Sequence, residues 1–283
     1  MTDEPAKNVW TELGSFLWKN RDWLVGQVGK IREWLSRPQK DAEGVERGVL
    51  IIGPGGVGKS TTARLLSGDH DTLLDTQTEY LESLGVERVP LADDENVELV
   101  IPPGQRHRRD STWSDLEAGI AGGEYRGIVV LTAYGYHSLG NSYKENRLYT
   151  GDESEFMSQY LESSRADEVS VYKRLAPFIK SCDKKIWLLS LVTKQDLWSD
   201  RSREVVHFYE EGPIGEIVVD ISSALGGKMF RHEMTPVSLV IYNFTTGKGE
   251  VLAPTVAGYD QAAQAHSLQR FWETLIALKD WEA

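Results

Sequence analysis

Residues 53–60 read Gly-Pro-Gly-Gly-Val-Gly-Lys-Ser, a complete match to the pattern G-x-x-x-x-G-K-[ST]. The segment follows an apolar run at 48–52, predicted to be a buried strand, and opens a predicted helix at 59–67. Its glycines allow successive N–H groups to turn inward, and a helix N-terminus favours anions. An accidental glycine-rich turn is the alternative, but the flanking strand and helix favour a phosphate-binding loop for a nucleoside triphosphate.

Further apolar runs indicate how the rest of the chain is organised. Strands are predicted at 128–133, 185–192 and 216–221, and 86–91 with 97–101 form a predicted strand pair. Strands that alternate with helices imply a mainly parallel sheet. The predicted fold class is therefore the three-layer α/β fold of P-loop NTPases. Helices are predicted at 114–120, from 155 to at least 164, and at 261–281.

The chain is predicted to have two parts. Residues 1–46 comprise an amphipathic helix at 8–36 and the start of a polar linker at 37–47. Residues 47–283 form the P-loop domain, with an insertion near 134–165 and a C-terminal extension at 234–283. The extension is predicted to contain a β-hairpin, from strands at 235–244 and 250–252, and the last helix.

A second motif concerns the base. Thr193-Lys194-Gln195-Asp196 follows the predicted strand at 185–192. A carboxylate there can accept the N1–H and N2–H₂ groups of guanine, which adenine does not offer, while Lys194 packs along the base plane. A solvated helix cap is the alternative interpretation of these four residues. A second turn to contact guanine is predicted at Ser223, Ala224 and Leu225, after the predicted strand at 216–221.

From residue 47 to 225 the chain resembles the Ras-like small GTPases. Its phosphate loop, its TKQD motif and its Ser223-Ala224-Leu225 turn are similar to that family's P-loop, [NT]-K-x-D and S-A-K motifs. Residues 101–105, Ile-Pro-Pro-Gly-Gln, occupy the position of the family's D-x-x-G-Q. The resemblance implies GTP or GDP with Mg²⁺ as ligands and a switch threonine at Thr78, with Thr76 and Thr72 as alternatives.

The resemblance assigns roles to the following residues. Gln105 is the expected catalytic residue, positioning the attacking water. Guanine is expected to contact Thr193, Lys194, Asp196, Ser223, Ala224 and Leu225. Ser60 and Thr78 are the expected Mg²⁺ ligands. The expected phosphate-binding residues are Gly53, Gly55, Gly56, Val57, Gly58, Lys59, Ser60, Thr61 and Gly104.

Ile101 departs from the family pattern, because isoleucine replaces the aspartate that supports Mg²⁺ through water. Its loss is expected to loosen the metal, although Gly104 and Gln105 remain. Two functions follow: a slow GTPase assisted by a partner's arginine, or a pseudo-GTPase scaffold with little turnover. A P-loop ATPase or kinase is a third alternative. The run at 106–109 is interpreted either as a source of a cis arginine or as a solvated, mobile segment.

Composition bears on partners and location. The net charge of −12 speaks against nucleic acid as a partner, and the single cysteine fits a reducing, cytoplasmic compartment. An effector or activator protein is expected, of unspecified identity. The tryptophan-rich helix at 8–36 is expected either to lie peripherally at a membrane or to pack on its own domain or a partner. The tyrosines of the loop at 134–152 suit a recognition surface.

Overall fold

A computed structural model of the chain describes residues 29–31, 33–35, 39–40, 46–67, 85–90 and 98–283. Thr72, Thr76, Thr78 and most of the predicted N-terminal helix lie outside these residues. Within them, residues 29–31 and 33–35 are helical.

One sheet forms the centre of the domain. Its six main strands run in the order β3-β4-β2-β5-β6-β7, and all are parallel except β3, which is antiparallel to β4. The short β1 pairs with the start of β2, so part of the predicted linker is a strand. The predicted mainly parallel sheet flanked by helices is confirmed. The strands are β1 (Gln39–Lys40), β2 (Glu46–Ile52), β3 (Glu87–Pro90), β4 (Glu98–Ile101), β5 (Tyr125–Thr132), β6 (Ile186–Val192) and β7 (Phe230–Pro236).

The middle of the sheet is buried on both faces, as its continuous apolar runs require. Every residue of β5 and β6 is buried. Gly127 of β5 pairs with Trp187 of β6, and a Cβ on Gly127 would lie closer than 3.0 Å to the indole ring. The glycine therefore makes room for a fully buried tryptophan between the two central strands.

Seven helices are described by their bounds. The predicted helices at 59–67, 114–120 and 261–281 are confirmed, and so is the helix predicted from 155 to at least 164, which continues to Ser181. The helices are α1 (Lys59–Ser67), α2 (Arg106–Thr112), α3 (Ser114–Ala121), α4 (Glu153–Ser181), α5 (Ser202–Glu210), α6 (Pro213–Leu225) and α7 (Gln261–Glu282).

The predicted strand at 216–221 is wrong, because this segment belongs to α6. Pro213 stands in the first turn, after Gly212 as N-cap, and Gly226 follows the last residue. The buried residues Ile214, Val218 and Ile221 recur at helical spacing, whereas Val219 is 62% exposed. The β-branched composition favours a strand, but the terminal signals and the spacing of the buried residues specify a helix.

The strand that completes the sheet is β7, which overlaps the predicted strand at 235–244 only at residues 235 and 236. It lies at the edge of the sheet and its residues 231–234 are not fully buried, which explains its polar sequence. The predicted hairpin exists but is shorter, with β8 (Phe244–Thr245) antiparallel to β9 (Val251–Ala253). Gly247 N–H donates to the Leu139 carbonyl, so the hairpin contacts the chain's own loop.

The helical residues before β1 pack onto the end of the sheet. Ile31, Trp34 and Leu35 are buried, and the Trp34 ring lies 5.7 Å from that of Trp187. This end of the predicted N-terminal helix thus packs on its own domain. Among the residues that the structure describes, no helix is long and apolar enough to cross a membrane.

A buried ion pair holds this junction together. Arg126 Nη1 lies 3.1 Å from Glu282 Oε2 on α7, and both side chains are almost fully buried. Trp34 Nε1 donates to the same carboxylate at 2.7 Å. Arg126 Nη2 donates to the carbonyls of Trp34 and Leu35. Because Trp34 and Arg126 both donate to it, the Glu282 carboxylate joins three segments that are distant in sequence.

We expect Glu282→Ala to lower the free energy of unfolding by about 3–5 kcal/mol, because it leaves Arg126 charged and buried without its counter-ion. Urea unfolding followed by circular dichroism measures the change. Glu273→Ala removes an exposed carboxylate from the same helix and should change it by less than about 0.5 kcal/mol. Equal effects of the two substitutions would contradict a structural role for the pair.

Candidate nucleotide-binding site

The predicted phosphate loop lies between the end of β2 at Ile52 and the start of α1 at Lys59. Gly56 and Gly58 have φ angles of +72° and +92°, which L-residues with side chains rarely adopt. The loop therefore has the strand–turn–helix context and the glycine-dependent backbone that cradle a phosphate.

Lys59 lies inside this loop. Its Nζ donates to the Gly53 carbonyl at 3.1 Å and to the Pro54 carbonyl at 2.8 Å. Burial and, to a smaller extent, the Arg109 guanidinium lower the pKa of Lys59 to about 7, whereas Glu87 and Asp167 act in the opposite direction. The ammonium is thus held by neutral carbonyls in a place where a nearby anion would stabilise its charge.

The segment predicted to correspond to D-x-x-G-Q lies against the loop. Ile101 ends β4 and is buried. A Cβ on Gly104 would lie closer than 3.0 Å to Lys59 Nζ and to the Gly53 carbonyl oxygen. Gln105 precedes α2 as its N-cap residue. The structure therefore places Gly104 against the phosphate loop, with Gln105 beside it at the start of α2.

Within the basic run at 106–109, Arg109 is not a solvated residue. Arg109 is buried on α2 and forms two parallel hydrogen bonds with Asp167 of α4, at 2.9 and 2.7 Å. Its Nε also donates to the Gly104 carbonyl at 2.8 Å. Arg109 therefore fixes the glycine backbone next to the phosphate loop. His107, in contrast, is exposed.

The TKQD motif is bonded to the phosphate loop. The Thr193 hydroxyl contacts the carbonyl oxygens of Val57 at 2.8 Å and Thr132 at 2.9 Å. Lys194 has a left-handed backbone with φ of +58°, and its Nζ donates to the Tyr136 carbonyl at 2.6 Å. Burial lowers the pKa of Lys194 to about 8. In the described structure these two side chains join neighbouring loops.

Asp196 is the buried carboxylate of this motif, with 1% of the residue exposed. Its Oδ1 accepts the Ser238 hydroxyl at 2.7 Å, and its Oδ2 accepts the Tyr242 N–H at 3.1 Å. Burial raises the pKa of Asp196, and these two hydrogen bonds lower it. Asp196 is therefore a satisfied carboxylate and not a solvated cap residue.

The predicted turn at Ser223, Ala224 and Leu225 requires correction. These residues end α6, and the Ser223 hydroxyl donates to the Val219 carbonyl of the same helix. The segment that follows the strand next to β6 begins at Val237, and it contains the serine bonded to Asp196. The missed residue is Ser238. The signal that could have found it is the Ser-Leu pair two residues after Pro236.

The loop after β5 supports the phosphate loop. Ser138 donates to the Gly56 carbonyl from its N–H at 3.2 Å and from its hydroxyl at 3.1 Å. The buried Glu168 of α4 accepts hydrogen bonds from the N–H groups of Ala133 and Gly135. It also contacts the side chains of His137 and Tyr209. The start of this loop is therefore bonded both to α4 and to the phosphate loop.

The predicted recognition surface on this loop is wrong for three of its four tyrosines. Tyr134, Tyr136 and Tyr143 are each at most 8% exposed, and Tyr149 is partly buried. Their rings pack edge-on or tilted against Phe208, Phe244 and Phe156. The aromatic residues thus form the core of the insertion.

Ser60 carries the hydroxyl predicted to bind Mg²⁺. Its Oγ donates to Glu87 Oε2 of β3 at 3.2 Å, at the N-terminal end of α1. A hydroxyl and a carboxylate oxygen are hard ligands of the kind that Mg²⁺ prefers, so the residues present fit this metal. Thr61 follows in the same first turn of the helix and is partly buried.

Similar solved structures are GTP-binding proteins. One is the signal recognition particle receptor SRb bound to GDP, from Chaetomium thermophilum (14% identity, TM-score 0.40, 82% of this chain and 96% of that chain covered). Another is the small COPII coat GTPase SAR1 of Encephalitozoon cuniculi with GDP (13%, 0.38, 96% and 97%). A third is the GTP-bound IFT22/74/81 structure from T. brucei (18%, 0.31, 84% and 98%).

No family model and no curated protein sequence matches the chain. At TM-scores of 0.31 to 0.40, the structural similarities add nothing to the topology already described. Function is therefore inferred from the chain's own residues.

We expect Gly104→Ala to displace the phosphate loop, because the added methyl group would overlap the Gly53 carbonyl oxygen and the Pro54 carbonyl carbon. The predicted cost is about 1–3 kcal/mol in the free energy of unfolding, together with weaker binding of mant-GDP. Gly227→Ala is the matched control, since a Cβ there would meet nothing within 4 Å. Unchanged mant-GDP binding by Gly104→Ala would show that Gly104 does not support the loop.

Proposed function

We propose that the chain is a guanine-nucleotide-binding switch protein that hydrolyses GTP slowly and with the help of a partner. The observation that carries the proposal is the hydrogen bond from Thr193 to the Val57 carbonyl. It joins the phosphate loop to the motif that ends in the buried carboxylate Asp196. A triphosphate site and a carboxylate suited to guanine therefore lie at the same edge of the sheet, where parallel α/β sheets bind ligands.

Guanine recognition is assigned to the Asp196 carboxylate. Two of its lone-pair positions are used by Ser238 and Tyr242, and a carboxylate offers about four. Because only 1% of Asp196 is exposed, the base must displace part of the segment that covers it. The Tyr242 side chain is 53% exposed, and its N–H lies on Oδ2, so this residue is the one that moves first.

Phosphate binding is assigned to the N–H groups at 53–58, to Thr61 and to the Lys59 ammonium. When bound, Mg²⁺ would neutralise charge on the phosphates next to the Ser60 hydroxyl. Gly104, which lies against the phosphate loop, offers its N–H to a phosphate. Its carbonyl accepts a hydrogen bond from Arg109. A γ-phosphate that contacts Gly104 would therefore act on α2 through the same glycine.

Competition among GTP, GDP and ATP for the purified chain tests the proposal. We expect guanine nucleotides to displace mant-GDP at much lower concentrations than ATP. Asp196→Asn should weaken GTP binding by about 10- to 100-fold, because the amide cannot accept both guanine donors. ATP binding should not change.

Asp200→Asn is the control, since Asp200 lies four residues away with an exposed side chain. It should leave the GTP affinity unaltered. Strong ATP binding that is indifferent to Asp196→Asn would reject guanine recognition and favour a P-loop ATPase.

Hydrolysis distinguishes the slow GTPase from the second candidate, a nucleotide-binding scaffold with little turnover. Gln105 lies at the N-terminus of α2, next to Gly104, where it can orient a water towards the phosphate site. Ile101 offers no metal support, which favours a slow intrinsic rate. In GTPases, an arginine supplied by a partner raises the rate of GTP hydrolysis by about 10³- to 10⁵-fold.

We expect single-turnover GTP hydrolysis by the unaltered chain at a rate on the order of 10⁻⁴ to 10⁻² s⁻¹. Gln105→Ala should lower it several-fold without weakening GTP binding. Gln159→Ala, on the surface of α4, should have no effect. Equal rates in the unaltered chain and Gln105→Ala, both at the background of free GTP, would support the scaffold instead.

The partner and the location belong to the same proposal. We assign the chain a cytoplasmic location and an effector or activator protein as partner. We assign the predicted N-terminal helix as a further contact surface, for a partner or at a membrane. Ile31, Trp34 and Leu35 at its end already pack on the domain, so such a contact would use the residues before them.

A further inference from the structure

The strand next to Ile101 in the sheet is β3. In the antiparallel pair of β3 and β4, Glu87 is directly opposite Ile101. Residues that pair directly across two strands project to the same face of the sheet, with Cβ atoms about 5 Å apart. Glu87 therefore places a carboxylate on the face where Ile101 lacks one.

The Glu87 side chain points to the start of α1. Its Oε2 accepts the Ser60 hydroxyl at 3.2 Å, and the side chain of Ser60 belongs to the phosphate loop motif.

This contact has the chemistry of a magnesium ligand with its supporting carboxylate. A serine hydroxyl that binds Mg²⁺ uses an oxygen lone pair and directs its proton to a neighbouring acceptor. Mg²⁺ also keeps several waters, and these need acceptors near the metal. Isoleucine supplies none, whereas the Glu87 carboxylate supplies two oxygens.

We propose that Glu87 supplies the carboxylate that supports Mg²⁺ at Ser60, in place of the aspartate that Ile101 replaces. The inference rests on the proposed function, because the phosphates of the nucleotide complete the metal site. No group of three or more His, Cys, Asp or Glu residues suited to a metal is found in the described part of the chain. One carboxylate, one hydroxyl, phosphates and water are sufficient for Mg²⁺.

A purely structural role for Glu87 would be to connect β3 with α1 through Ser60. Glu87→Gln separates the two roles, because the amide oxygen still accepts the serine hydroxyl while the negative charge is lost. A structural contact should survive this substitution. Support of a metal should not, since the loss of such a carboxylate costs about 10- to 100-fold in metal affinity.

The experiment measures release of mant-GDP from the full chain as free Mg²⁺ is varied with EDTA buffers. We expect Glu87→Gln to shift the Mg²⁺ concentration at half-maximal retention about 10- to 100-fold upward. Its release rate in excess EDTA should equal that of the unaltered chain. Glu233→Gln, which removes a charge from β7 at the other edge of the sheet, should leave the midpoint unchanged.

A second measurement reports the metal directly. Mn²⁺ titrated into the GDP complex and followed by electron paramagnetic resonance should show the same loss of affinity in Glu87→Gln. Unchanged Mg²⁺ and Mn²⁺ midpoints in a folded Glu87→Gln protein would overturn the assignment of Glu87. Failure of the unaltered chain to bind mant-GDP at any Mg²⁺ concentration would instead overturn the proposed function.

Discussion

Outward-facing carbonyl groups of the phosphate loop are the constraint on which the rest of the site depends. When successive N–H groups turn inward to cradle an anion, the carbonyls between them turn away and need other donors. The Val57 carbonyl contacts the Thr193 hydroxyl, and the Gly56 carbonyl accepts two hydrogen bonds from Ser138. The carbonyls of Gly53 and Pro54 accept hydrogen bonds from the Lys59 ammonium. The cradle is thus shaped by residues far away in sequence.

Buried charges hold two of the segments that lie against the phosphate loop. Ser138 lies on the loop whose backbone is bound by the Glu168 carboxylate, and its hydroxyl accepts a hydrogen bond from Lys194 at 3.2 Å. Gly104 reaches the phosphate loop because Arg109 holds its carbonyl, while Asp167 neutralises that arginine. Neighbouring carboxylates on α4 therefore hold the two segments that flank the loop. Displacement of either segment would be transmitted to this helix.

The elements that the sequence predicts well carry a local signal. The phosphate loop has its glycines, and β5 and β6 have continuous apolar runs that require burial on both faces. Prediction failed where tertiary position outweighed composition. The β-branched segment at 216–221 is helical, and the polar strand Phe230–Pro236 is tolerated because it lies at the sheet edge. One error caused the next. Because the last strand is predicted at 216–221, the turn that follows it is predicted at Ser223, whereas the serine bonded to Asp196 is Ser238. Likewise, no local pattern joins Glu87 to Ser60, because their contact depends on strand pairing.

The electrostatics around Lys59 explain why the phosphate loop suits an anion. Arg109 faces a carboxylate, whereas Lys59 donates to two neutral carbonyls. Burial lowers the pKa of Lys59 to about 7, from its ordinary value near 10.5. Between pH 7 and 10.5 the unfolded chain binds more protons at this lysine than the folded chain does. The free energy of unfolding therefore rises with pH in this range. A bound phosphate reverses this preference by supplying a negative charge. Phosphate binding and protonation of Lys59 are therefore linked, and each makes the other more favourable in the neutral pH range.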